Sequence, residues 1–328
     1  MKKLITIAAA IFLSGCFAAG EGARGAGEVW QKTFEDWNKN AQRYTQLVGM
    51  LCGEPNEDNL TRMRNAHRGL VTAFARTDGL DLIRSRSSYP PFLIFPDAVD
   101  TVPGEVEAYV EAVRNSPTTR PREYGDTLSS ITAMEYLIYA NDDIIEDPAR
   151  CVALKNIADT HALQTLDHSE KWTLSIQREL LEVANRSDEE YFALAMDAIR
   201  AQLRLADRFM RAPMQADGSV ALDRAVTPWM QSYAHIQFLQ PLEASRLIFV
   251  VGGPLKTLQT NDNAELGSQA MALYEEMAAT IISFGDYDQI ATDPGKLQDM
   301  WRLIEVREEL YELMDGPIAR ALEGVYSR

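Results

Sequence analysis

Apolar residues recur every three or four positions along most of this chain. Trp30, Phe34, Trp37, Ala41, Tyr44, Val48 and Leu51 make one such stripe, which places them on a single face of a helix of roughly six turns. Leu60, Met63, Ala66, Leu70 and Phe74 make a second, on a helix predicted over 56–78 and stopped by Gly79. Short helices are expected at 104–115 and 126–141, on either side of the segment from Pro117 to Pro121. Asp147-Pro148 opens the longest periodic stretch, which runs to Asn185. Ser187 followed by Asp188, Glu189 and Glu190 then caps a helix reaching Arg211. Further helical patterns cover 225–250, 264–284 and 297–323. Between 80 and 103, Pro90, Pro91, Pro96 and Pro103 forbid a regular helix and predict a packed, irregular connection. The run from Leu247 to Val251 is the one serious strand candidate, and it ends a helical pattern.

The predicted fold class is therefore all-α. Eight or nine helices exceed a single four-helix bundle, and the change from short to long helices near Asp147 divides the chain into two antiparallel bundles, 28–146 and 147–328. No repeat of fixed period is visible, which disfavours a solenoid.

The N-terminus changes the charge and the compartment. Lys2 and Lys3 precede a short apolar stretch from Leu4 to Leu13, too short to span a bilayer and of signal-peptide length. Leu13-Ser14-Gly15-Cys16 then looks like a bacterial lipobox, in which the peptide is cut before Cys16 and the new N-terminal thiol is acylated. Residues 1–15 are thus read as a lipoprotein signal and 16–27, rich in Gly and Ala, as an acylated Cys16 and flexible tether. Phe17 after Cys16 favours the outer membrane. Cleavage removes two lysines and no acid, so the net charge of −16 becomes −18 on the mature chain. With 32 basic against 48 acidic residues and no cluster of Lys and Arg, nucleic acid is not an expected partner, because backbone binding needs clustered cations. In an oxidising compartment Cys52 and Cys151 are either a disulfide or two unpaired thiols, and the sequence leaves both open.

The segment Ser129-Ser130-Ile131-Thr132-Ala133-Met134-Glu135-Tyr136-Leu137-Ile138-Tyr139 resembles the Gly-x-His-x-x-Glu signature and aromatic-aliphatic run of imelysin-like proteins. Glu135 stands in the Glu position, while Ser130 and Thr132 replace the Gly and the His. The lipobox, Phe95-Pro96-Asp97 and Asp315-Gly316-Pro317 agree more diffusely. The resemblance implies a pair of helical bundles, an association with bacterial iron uptake and a claimed metallopeptidase activity. In the signature, His and Glu one turn apart share a helix face and can share a cation. A threonine hydroxyl is a weak zinc or iron ligand, and the chain has no His-Glu-x-x-His.

Other candidates are weaker. His161 and His168 share a face but lie about 10 Å apart along the axis, and they read equally as polar residues on a packing seam. Asp142, Asp143 and Glu146 with Asp147 offer hard oxygen ligands, or a solvated acidic junction at a helix N-terminus. His67 reads as core. No Gly-x-Ser-x-Gly elbow occurs and no catalytic residue is assigned. The reading is an imelysin-like, membrane-anchored lipoprotein that binds a ligand, a divalent metal or iron, working with iron-transport or haem-uptake components. Glu135, Thr132 and Ser130 would line its site. The alternatives are a metallopeptidase and a structural or adhesive lipoprotein with a decayed site.

Overall fold

A computed structural model of the chain describes residues 2–77, 101–124, 126–140, 143–171, 177–215, 217–221, 234–284 and 287–326. Twelve helices account for most of these residues: α1 (Lys2–Gly53), α2 (Glu57–Thr77), α3 (Val102–Asn115), α4 (Ile131–Tyr139), α5 (Pro148–Lys171), α6 (Gln177–Arg186), α7 (Asp188–Arg211), α8 (Ala234–Val251), α9 (Pro254–Thr260), α10 (Ala264–Ser283), α11 (Pro294–Leu313) and α12 (Ala319–Tyr326). The chain is all-α. The described residues contain one isolated β-bridge, Met214 with Val220, and the run from Leu247 to Val251 is helical.

Local chemistry explains the boundaries. Ser187 caps α7, its hydroxyl accepting from the Glu190 N–H, and Asp293 caps α11 through the Gly295 N–H. Pro103 lies in the first turn of α3, where its missing N–H costs nothing, so the helix begins at Val102. The stretch read as one helix from 147 to 185 consists of α5 and α6, with 172–176 outside the described residues. The stretch 297–323 is likewise divided. Pro317 cannot donate a backbone hydrogen bond, and a π-helical turn at Met314–Ile318 takes up the mismatch between α11 and α12. The irregular connection expected at 80–100 lies outside the described residues.

Helix α1 organises the molecule. Its buried stripe starts well before Trp30: Ala19, Ala23, Ala26, Trp30, Phe34, Trp37, Ala41, Tyr44, Val48 and Leu51 are all shielded from solvent. Toward its C-terminal end it packs on α2 and α5, and α3 and α4 close this group against α5. Toward its N-terminal end it meets α6, α7, α8 and α9; α7 pairs with α8, and α10, α11 and α12 complete this second group. A single hydrophobic core runs through both groups.

Two features of the packing bear on the division read from the sequence. Helix α5 packs with α1, α3 and α4, so the packing does not divide at 146/147. The segment read as a tether is helical, and from residue 19 onward it is packed. Its glycines serve close approach: a Cβ on Gly22 would stand 2.3 Å from the Gly252 carbonyl oxygen. Gly252 and Gly253 form the turn between α8 and α9, with Gly253 at a φ of 100° that L side chains rarely adopt.

That contact makes Gly22→Val destabilising by about 1–3 kcal/mol, because the obstacle is backbone and cannot swing aside. Gly49, in the same helix, has nothing within 4 Å of its Cβ direction. Gly49→Ala should therefore stabilise by about 0.5–1 kcal/mol. Denaturant unfolding of the two variants checks the contrast, and equal effects would contradict the close packing at Gly22.

Candidate functional site

Helix α4 is short and almost wholly enclosed. Ser130, in an extended conformation, caps it: its Oγ accepts from the Ala133 N–H at 3.1 Å. A helix buried all round should be apolar all round, and Met134, Leu137 and Ile138 conform. Thr132 and Glu135 do not, yet both are buried, at 1% and 5% exposure. A carboxylate in such a place is costly unless its surroundings are polar.

Those surroundings come from three other helices. From α2, His67 is fully buried, with Nε2 3.5 Å from the Ile131 carbonyl oxygen. Its ring meets Tyr44 of α1 and Tyr139 of α4 edge-on, with both centroid distances at 5.7 Å. Arg64, one turn before His67, ties α2 to α4: its Nε donates to the Ile138 carbonyl at 2.8 Å, and the Tyr139 hydroxyl donates back to the Arg64 carbonyl at 3.0 Å. From α5, His161 places Nδ1 3.3 Å from the Ser129 carbonyl oxygen and its ring edge-on to Trp37 at 5.9 Å. His168, two turns on, stacks on Trp37 at 6.2 Å.

The electrostatics follow from burial. It pushes the His67 imidazolium down to about 3, with a contribution from His161, against the opposing effect of the Ile131 carbonyl. It pushes His161 down to about 4, with a contribution from His168, against the Ser129 carbonyl. Both rings are thus neutral at pH 7. A carbonyl oxygen only accepts, so the ring nitrogen facing it carries the proton. That assignment gives His67 a lone pair at Nδ1 and His161 one at Nε2. Burial, and then the charges of Tyr139 and Glu135, push the Tyr44 phenol well above its ordinary value. Among the described residues, the Tyr44 hydroxyl, the Thr132 hydroxyl and His67 Nδ1 are buried without hydrogen-bond partners. Each such atom costs about 1–3 kcal/mol.

Ser130 caps α4, Thr132 and Glu135 lie one turn apart within it, and His161 meets its N-terminal end through the Ser129 carbonyl. His168 flanks the cluster across Trp37. Asp143 and Glu146 are exposed in the turn before α5. Asp147 there accepts from the Ala149 N–H and pairs with Arg114 at 2.7 Å. Asp142 lies outside the described residues, as does the side chain of Cys16 within α1. Cys52 and Cys151 are joined in a disulfide, with Cα atoms 5.5 Å apart, tying the end of α1 to the start of α5. The sequence reads His67 as core and Tyr139 as wall or core beside the motif, and it assigns no polar role at the site to His67, Tyr44 or Tyr139. A signal existed for His67: the buried stripe of α2 is Leu60, Met63, His67, Leu70 and Phe74, with Ala66 beside it.

A tightly held catalytic zinc needs three protein ligands and an open position. Among the described residues no three of His, Cys, Asp and Glu are placed to hold one ion. These residues do not fit a preformed peptidase metal centre. What they offer is a small enclosed set of hydrogen-bonding atoms with one carboxylate and two neutral imidazoles.

No family model matches the chain, and no curated protein matches it. A solved structure, an imelysin-like protein from Psychrobacter arcticum 273-4, is similar to it with a TM-score of 0.70 and 14% identity, covering 92% of this chain and 96% of that one. At that identity the likeness concerns architecture, and the agreement covers nearly the whole of both chains. The chain has the imelysin-like fold.

Proposed function

We propose that this chain is an exported, lipid-anchored, non-catalytic binding protein serving iron uptake, with the polar cluster around Glu135 as its ligand site. The observation that carries the reading is the group of unpartnered buried atoms, Thr132 Oγ1, Tyr44 OH and His67 Nδ1, on three helices that meet beside a buried glutamate. Apolar replacements would stabilise such a core, so its polarity is explained by use. The ligand this cluster suits is small and makes several hydrogen bonds, with a donor directed to the His67 Nδ1 lone pair and partners for the Thr132 and Tyr44 hydroxyls. The lipobox at Cys16 and the Cys52–Cys151 bond support an exported location, since disulfides persist in oxidising compartments. Iron uptake is the role that the resemblance at Ser130–Glu135 implies.

A complementation experiment tests this. In cells lacking the gene, growth under iron chelation should depend on the full-length chain and fail with Glu135→Gln at equal abundance and equal thermal stability. Full rescue by Glu135→Gln would favour the structural or adhesive reading instead.

A further inference from the structure

The start of α1 leaves no length for a leash. Ala19 and Ala23 are fully buried. Gly22 lies against the Gly252 carbonyl, and Gly20 faces Asn185 at the end of α6, where an added Cβ would lie 4.0 Å from the amide oxygen. Glu21 reaches across to Lys256 of α9 in a 2.6 Å ion pair. The packed body therefore begins three residues after Cys16. Three residues span at most about 11 Å when fully extended and about 4.5 Å when helical.

We propose that the folded body is seated directly on the bilayer by this end, formed by the first packed turns of α1, the α6–α7 turn and α9, so that a phospholipid headgroup surface is the neighbour of Arg24, Asn185 and Lys256. The proposal rests on the acylation of Cys16 put forward above. Charge is arranged for it. The mature chain carries −18, and a uniformly acidic body would be repelled by anionic lipid. At this end, however, three bases, Arg24, Arg186 and Lys256, stand against four acids, Glu21, Asp188, Glu189 and Glu190, so the local balance is near neutral. Most of the acidic excess lies elsewhere on the chain. The α1 axis then sets a height: Gly53 lies about 50 Å from Ala19 along the helix. The loop at Pro55 and Asn56 is at the far end.

The test uses the full-length, acylated protein in vesicles of phosphatidylethanolamine and phosphatidylglycerol carrying a headgroup-linked quencher. A fluorophore is placed on Gln259→Cys, one turn from Lys256 on the exposed side of α9, or on Asn56→Cys. The native pair, Cys52 with Cys151, is already bonded. Quenching is expected to be several-fold stronger at position 259 than at 56. A Gly-Ser segment inserted between Phe17 and Ala18 should erase that difference without releasing the protein from vesicles. Equal quenching at the two positions in the unmodified chain overturns the seating. Mass spectrometry of the N-terminal peptide comes first: an unacylated Cys16 overturns anchoring and seating together, whereas an acylated Cys16 with equal quenching overturns the seating alone.

Discussion

Lowering the pH from 6.5 to 4.5 should cost this protein several kcal/mol of stability, well before its carboxylates titrate as a class. The cause is the pair of enclosed imidazoles. In the unfolded chain each histidine takes up a proton near its ordinary value of 6.5, whereas in the folded chain His67 and His161 resist protonation until about 3 and about 4. The unfolded state therefore binds more protons in that window, and stability falls as the pH falls. It is complete above about 6.5 and its loss ends only near the folded values. With two such groups the slope approaches about 2.7 kcal/mol per pH unit in the middle of the window. An opposing effect exists, because protonation relieves repulsion within an acidic chain, but exposed charges are screened over about 10 Å at moderate salt. Buried imidazoles are not screened, so they dominate. Denaturant unfolding at half-unit pH steps measures the slope, and His67→Gln, which removes one of the two groups, should reduce it by about half. A flat profile between pH 7 and 5 would contradict the enclosure of these rings.

Reduction of the Cys52–Cys151 bond should have an effect of similar size. The two cysteines are 99 residues apart, and closing a loop of that length restricts the unfolded chain by about 4.7 kcal/mol in the loop-entropy account. For a chain of 328 residues, that corresponds to a fall in Tm of roughly 7 °C. The loop contains α2, α3 and α4, and its two ends are the helices that bring Trp37 and His161 together. Loss of the bond should therefore loosen the site as well as the fold. Calorimetry with and without reductant, repeated on Cys52→Ser with Cys151→Ser, gives the number. A reductant effect that persists in the double variant would point to another cause.

Much of this architecture is legible in the sequence, and the gaps have physical reasons. The stripe from Trp30 to Leu51 marks α1 because large apolar side chains at helical spacing are a strong signal. The same stripe continues through Ala26, Ala23 and Ala19, but there it works by close approach of backbones, and small residues carry no hydropathy to announce it. Composition alone therefore reads as a tether what is packed helix from residue 19 onward. Helix length says nothing about which neighbour a helix covers, and α5 packs on α1, α3 and α4. At the site, Ser130, Thr132 and Glu135 were found through the resemblance and His161 as a lesser candidate. His67 reads as core and is buried, but a core histidine does not announce in the sequence which of its nitrogens lacks a partner. Tyr44 escaped for another reason: a tyrosine in an apolar stripe is identified as a ring, and only the neighbouring helices decide what its hydroxyl must do.

The way α1 is shared between the two helix groups bears on the order in which the chain can be completed. A ribosome makes α1 before its partners: α5, which covers one part of its stripe, begins only at Pro148, and α9, which covers another, at Pro254. Until those segments emerge, Trp30, Phe34 and Trp37 have few of the neighbours that enclose them in the native structure. Helix α1 thus waits for later segments to be fully enclosed, and its apolar face is the surface most in need of protection while they are being made.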